Sequence, residues 1–416
     1  MFPFARMVAA VNLPLALGCV VCLLVSMATQ ACSRAADFET PPYLYVWAAD
    51  SAGTADDFLA VVDLRPASSR YAQVIATASS GARGTTPHHT EHEMPAGGIL
   101  WANGFGGNQS FRFNLLDPEL PSMMGVVAPV ESLSHAHSFA RLPTGHVVMT
   151  FQASAPDHTQ PGGIAEFDED GRLVRWASAK DSAWKDYIRP YSIAIVPALD
   201  RVVTTSADMQ GSPQSRTVQV WRFSDLHLLA SIELPPGPRG DEGIDTAEPR
   251  LLADGRTVLV STFNCGLYQL LDLDTGTPSA RFIHGFEGHR CALPVVIGNF
   301  WVATVPDAHR LVVLDVSEPS APREVSRLAL GPEARPHWIA ADDSSGSIVI
   351  TGRGSLRSRV LLAHVERSTG RIVLDTRFHE PGSTTPGITF ARTTWPHGAG
   401  GTAVPHGAVF SRAGKP

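Results

Sequence analysis

The chain has 416 residues, 44% of them hydrophobic, with 36 glycines, 32 prolines and a formal net charge of -7. So many turn formers imply short elements joined by tight turns and exclude bundles of long helices. The mild negative charge, without a run of Lys or Arg, leaves no electrostatic footprint for gripping phosphates, so nucleic-acid binding is not expected.

The first segment differs from the rest. Arg6 precedes an apolar stretch from Val11 to Val25, followed by the small residues Ser26, Ala28 and Ala31. This is the layout of a secretory signal peptide over residues 1–31, and the apolar run is short for a retained membrane-spanning anchor. The mature chain is therefore expected outside the cytoplasm, periplasmic or secreted, with no stable transmembrane segment. Lipid attachment at Cys32 is the lesser alternative, because Thr29-Gln30-Ala31 lacks the usual aliphatic residue. Cys19 and Cys22 would leave with the signal, so Cys265 and Cys291 remain in the body, either as one disulfide or as two separate thiols.

From Pro41 onward three kinds of β-rich run recur, each roughly fifty residues apart, the period of propeller blades. Alternating strands occupy Phe58-Leu64, Gln109-Leu115, Gly162-Asp168, Thr217-Phe223, Gly266-Leu273, Arg310-Val316 and Arg359-Val365. Ahead of them lie runs rich in Val, Ile, Thr and aromatics: Tyr43-Trp47, Ile99-Asn103, Val147-Phe151, Arg201-Thr205, Thr257-Thr262, Phe300-Val305 and Ser347-Thr351. A third run precedes six of these: His89-Met94, His137-Leu142, Tyr191-Val196, Glu248-Leu252, Cys291-Val296 and His337-Ala341. The seventh copy is supplied by His406-Phe410, which can pair with the N-terminal blade and close the ring without an exposed edge. The fold class is all-β, a seven-bladed β-propeller closed by the C-terminal strand and forming a single domain over residues 41–416. Trp101, Trp221, Trp301 and Trp338 are expected to fill the interfaces between blades.

The first strand of each blade lines the central channel, so its leading residues should form a ring. Those residues are His89, His137, Tyr191, Glu248, Cys291, His337 and His406, four histidines drawn from separate blades. Neutral imidazole suits copper, zinc, iron or nickel, and Glu248 or Cys291 could add a harder or softer donor. Further candidates as ligands or as their orienting partners are His88, Glu91, His92, Glu93, His135 and His397. Strand parity places His135 on the same face as His137 and His92 on the face opposite His89, unless turn geometry overrules it. Histidines in a channel can also merely hydrogen-bond backbone and water, but four aligned copies favour a metal or catalytic role.

The segments Phe58-Leu59-Ala60-Val61-Val62-Asp63, Tyr71-Ala72-Gln73-Val74-Ile75 and Pro87-His88-His89 resemble the opening of selenium-binding proteins, the family that includes methanethiol oxidases. His135-Ala136-His137, Pro336-His337-Trp338 and Pro405-His406-Gly407 are similar in placement to that family's channel histidines. The resemblance implies a propeller and, in the methanethiol oxidase branch, a copper centre. That centre oxidises a small thiol with oxygen to hydrogen sulfide, formaldehyde and hydrogen peroxide. Here the paired histidines are followed by Thr90-Glu91-His92-Glu93-Met94, where the family carries a cysteine-containing stretch. Metal binding through histidines carries over; selenium attachment through that stretch does not. The expected activity is a copper-dependent oxidoreductase on a small sulfur compound, with His89, His137, His337 and His406 holding the ion. A non-catalytic metal- or protein-binding propeller is the competing class, and a redox-independent lyase or hydrolase ranks behind both.

Overall fold

The computed structural model describes residues 41–185, 188–209, 214–291 and 293–412, so the signal-peptide segment and Cys32 lie outside the described residues. Seven sheets of four antiparallel strands account for nearly all of the ordered backbone, the seventh extended by a short fifth strand. Beyond them, the described residues hold a small hairpin, Thr394–Trp395 with Gly398–Ala399, and two single-turn 3₁₀ helices, Pro197–Leu199 and Pro306–Ala308. No helix of the described residues is long and apolar enough to cross a membrane.

Burial follows distance from the axis, and the amino-acid pattern explains why. Middle strands such as Phe300–Val305 are buried at every residue because both faces meet a neighbouring blade. Outer strands such as Leu173–Ser178 and Arg323–Ala329 are half open to solvent; Arg323, Glu324 and Arg327 are exposed on the second, whereas Val174 and Trp176 are exposed on the first. Trp101, Trp221, Trp301 and Trp338 are all at 0% exposure, as is Trp47. Each plugs the gap to an adjacent blade. Trp47 of blade one, for instance, lies 5.6 and 5.4 Å from Phe111 and Phe113 of blade two, and Trp101 packs among Val147, Met149 and Phe167 of blade three.

The ring closes as expected. Ala403–Phe410 is the innermost strand of blade one, paired antiparallel with Tyr43–Asp50 in the register Leu44↔Phe410 and Val46↔Ala408. Two further bonds, Ser411 N–H to Tyr43 O at 2.9 Å and Tyr43 N–H to Ser411 Oγ at 3.0 Å, extend the clasp. Inner strands of the other blades are Pro87–Thr90, Leu133–Arg141, Pro190–Val196, Thr246–Leu251, Val295–Ile297 and Ala334–Asp342.

Blade six departs from the expected ring. Cys291 lies ahead of its short inner strand and forms a disulfide with Cys265, packed among Leu252, Phe286 and Trp301. Its sulfur is thereby consumed, so the channel-lining and donor role read for Cys291 is corrected. The bridge closes a loop of 26 residues. A Cys265→Ser/Cys291→Ser double variant is expected to lose about 3 kcal/mol of stability by chain entropy. Its metal content should stay unchanged, a pairing checked by denaturant unfolding beside elemental analysis.

Candidate metal centre

Six inner strands share a local irregularity at the ring position. The pairing register slips between Pro87 and Thr90, Ala136 and Phe139, Pro190 and Ile193, Thr246 and Pro249, and Pro336 and Trp338, and opposite Pro405 to Ala408 in the closing strand. A bulge breaks strict two-residue alternation and re-aims the side chains within it. His88 and His89 are adjacent in sequence, yet both rings enter the axis for this reason. The same device carries His137, Tyr191, Glu248, His337 and His406.

A buried polar residue on the second strand of most blades fixes the bulge. Asn103 accepts from His89 N–H at 2.6 Å and donates to the carbonyls of Ala136 and His137 in the next blade at 2.6 and 3.0 Å. Thr150 accepts from Ser138 N–H at 3.0 Å and donates to Tyr191 O at 2.9 Å. Thr205 does the same for Ser192 and Ala247 at 3.1 and 2.5 Å, and Thr351 donates to His406 O at 2.6 Å. These residues were missed by sequence reasoning. Their signal was an Asn or Thr at corresponding places near the end of the apolar run in each of these strands. Asn103→Ala is expected to cost about 3 kcal/mol, because it strands three buried backbone groups. It should also weaken metal retention through the displaced His89, as denaturant unfolding and metal analysis on one sample would show.

One nitrogen each from His88, His89 and His137 lies within 4.8 Å of the others. His88 sits in the middle. Its Nε2 is 3.0 Å from His137 Nε2 and its Nδ1 is 3.1 Å from His406 Nε2. His337 packs beside His406, ring centroids 5.0 Å apart. The hydrogen-bond pattern assigns the protons. His137 Nδ1 faces Tyr191 O at 2.7 Å and so donates, leaving Nε2 bare. His88 Nε2 then donates to it, His88 Nδ1 accepts from His406 Nε2, and His406 Nδ1 is left bare. His89 Nδ1 meets Ser138 Oγ at 3.0 Å. His89 Nε2, His337 Nε2 and His406 Nδ1 are buried without a hydrogen-bond partner among the described residues.

Burial and neighbouring imidazoles push His88, His89 and His337 well below the ordinary histidine range. Burial takes His137 down to about 3 and His406 to about 4. All five are therefore neutral at pH 7, the form that binds metal. Neutral, buried nitrogens without a partner, converging from three blades, are costly unless something binds them, and an imidazole-only donor set fits a borderline or soft transition ion.

The remaining candidates fall elsewhere. Glu91 is buried against Arg141, at 2.7 Å and 2.9 Å, and accepts from Trp101 N–H, so it braces blades two and three. His92, expected on the opposite face from His89, turns its ring edge toward His89 at 6.4 Å and stacks flat on Trp338 at 4.8 Å. Arg250 Nη2 lies 3.2 Å from its Nε2. Glu93 is exposed in a funnel of about 750 Å³ whose lining also includes His92, Met94 and Arg250. His135 does not share a site with His137. It has a left-handed backbone (φ 57°), and its ring rests against Phe105 and His158. His397 lies on the small hairpin, bonded to Thr77 at 2.6 Å and set against Phe58. Glu248 is fully buried, with Oε2 taking Ser192 Oγ at 2.5 Å and Arg250 Nη1 at 2.7 Å. The Tyr191 ring lies 3.9 Å from that of His137, and burial followed by the Glu248 charge raises its phenol well above the ordinary range.

Fold and site together define the class: a seven-bladed β-propeller whose axis carries a buried histidine cluster able to hold a metal ion. No protein-family model matches the chain. It is similar to the methanethiol oxidase of Hyphomicrobium sp, 30% identical over 217 residues, or 47% of this chain and 49% of that protein. It is also similar to the methanethiol oxidase of Ruegeria pomeroyi, 30% identical over 146 residues, or 32% of this chain and 31% of that protein. The matches thus span about half and about a third of these relatives' lengths. A hypothetical selenium-binding protein from Sulfolobus tokodaii shares the fold with a TM-score of 0.69, covering 90% of this chain and 95% of that one at 14% identity. The resemblance read from the motifs is borne out: the chain is similar to two methanethiol oxidases and shares the fold of a selenium-binding protein.

Proposed function

We propose that the chain is a copper-dependent oxidoreductase acting on a small thiol, in the manner of the methanethiol oxidases it resembles. The observation that carries this reading is the set of bare, buried imidazole nitrogens on His89, His337 and His406 beside the His88–His137 pair. His88, His89, His137, His337 and His406 would hold the ion, and copper there would supply a redox couple for passing electrons from thiol to oxygen. The other residues position these groups. Tyr191 O fixes the tautomer of His137, and Ser138 orients His89. Trp338 and Phe105 wall the cluster from bulk water, at 4.8 Å from His89 and 5.9 Å from His88. The net reaction is one thiol, one oxygen and one water to formaldehyde, hydrogen sulfide and hydrogen peroxide when the thiol is methanethiol.

We further propose an extracytoplasmic location. The Cys265–Cys291 disulfide supports it, since such bridges persist in oxidising compartments. The N-terminal apolar stretch supports it independently.

The test is elemental analysis of protein purified from its native compartment without added metal, followed by oxygen consumption with methanethiol. Stoichiometric copper that is lost in a His89→Ala/His337→Ala variant, with equal yields of sulfide and peroxide, is the expected result. Absence of any bound transition metal sinks the proposal. Copper without turnover would favour a second reading, metal storage or delivery, for which the deep burial of the bare nitrogens also speaks.

A further inference from the structure

We propose that the metal-loaded cluster takes its external ligand as a small monoanion, so that a thiol gives up its S–H proton to solvent on entry and is held as the thiolate. This rests on the metal-site reading above and adds the charge state of what binds there.

The argument is one of charge balance. All five cluster histidines are neutral donors, so none offsets the charge of a cation placed among them. Two buried carboxylates stand near, and each is already matched by a guanidinium: Glu91 by Arg141 at 2.7 Å and Glu248 by Arg250 at 2.7 Å. Both pairs are net neutral. An ion bound at the cluster therefore keeps its positive charge in a place where burial makes an uncompensated charge expensive. A ligand arriving as an anion lowers that cost; a neutral one does not.

A second, independent observation points the same way. Arg353 is exposed on the second strand of blade seven, across from Arg335, and has no carboxylate partner among the described residues. It lies two residues beyond Thr351, whose hydroxyl holds His406 O at 2.6 Å. Its positive charge reaches His88, His337 and His406. A lone cation beside the cluster raises the local concentration of anions and speeds their entry. The net proton balance is simple. At pH 7 a free alkyl thiol is protonated; its S–H bond breaks, the electron pair stays on sulfur, and the proton passes to the buffer.

Zinc-loaded protein, which has no redox chemistry, provides the test. It is titrated anaerobically with ethanethiol in buffers of different ionisation enthalpy, and separately with sodium azide. About one proton should be released per thiol bound, and azide should displace the thiol. Arg353→Gln should keep its metal and weaken azide binding about fivefold at low salt, the difference fading as salt screens it. Thiol binding without proton release, or loaded protein that fails to bind azide, overturns the inference while leaving the metal site intact. Azide binding without thiol binding upholds the charge argument and sinks the thiol as ligand. Protein that takes up no metal overturns the proposed function and this inference together.

Discussion

Replacement of His88 by alanine is expected to lower metal affinity by about a hundredfold or more, the largest effect of any single histidine. His88 bonds His137 through one nitrogen and His406 through the other. Its loss removes a donor and frees both neighbours, whereas loss of His337 removes one bare nitrogen and leaves the chain of imidazoles intact. His135→Ala and His397→Ala serve as controls. Their rings bond and pack against Phe105, Thr77 and Phe58 and against no cluster histidine, so both should retain metal. Competition with a chelator of known affinity measures all four variants. Equal loss across them would mean that the cluster is not the binding site.

The second large effect is steep acid sensitivity of the metal-free protein. Each cluster histidine has a folded-state pKa below its unfolded value of 6.5, so the unfolded chain binds more protons once the pH falls below that value. The stabilisation is full above pH 6.5 and is lost progressively as pH falls toward the folded-state values. For His406, taken down to about 4, the loss amounts to roughly 3 kcal/mol; for His137, taken to about 3, roughly 5 kcal/mol. Set against a total stability of about 5–15 kcal/mol, these terms place unfolding between about pH 6 and pH 4. A bound ion must be displaced before the imidazoles can protonate, so loading should move the transition to lower pH. Circular dichroism across an acid titration, with and without metal, checks both statements. A metal-free protein that stays folded with no slope down to pH 3 would show that the imidazoles are not held neutral.

Much of the site was legible because a propeller writes its axis into the chain as a period. His89, His137, His337 and His406 stand at one place in four repeats, and the structure brings them to one axis with His88 among them. Parity then misled at the detail. It assumed unbroken two-residue alternation, and the inner strands bulge where the histidines sit. His88 therefore moves to the middle, His92 comes round onto Trp338, and His135 turns away beside Phe105.

The chain by itself determined the seven repeats, the closing strand and the convergence of histidines, because alternation and turn chemistry are local and each repeat restates them. The tertiary structure alone decided the pairing of Cys265 with Cys291, the matching of Glu91 with Arg141 and Glu248 with Arg250, and the tautomers set by Tyr191 and Ser138. Most of these depend on groups from different blades or distant segments. Side chains that meet across a blade interface leave no period in the sequence. Their partners are chosen by burial, which leaves each polar group only the neighbour within reach.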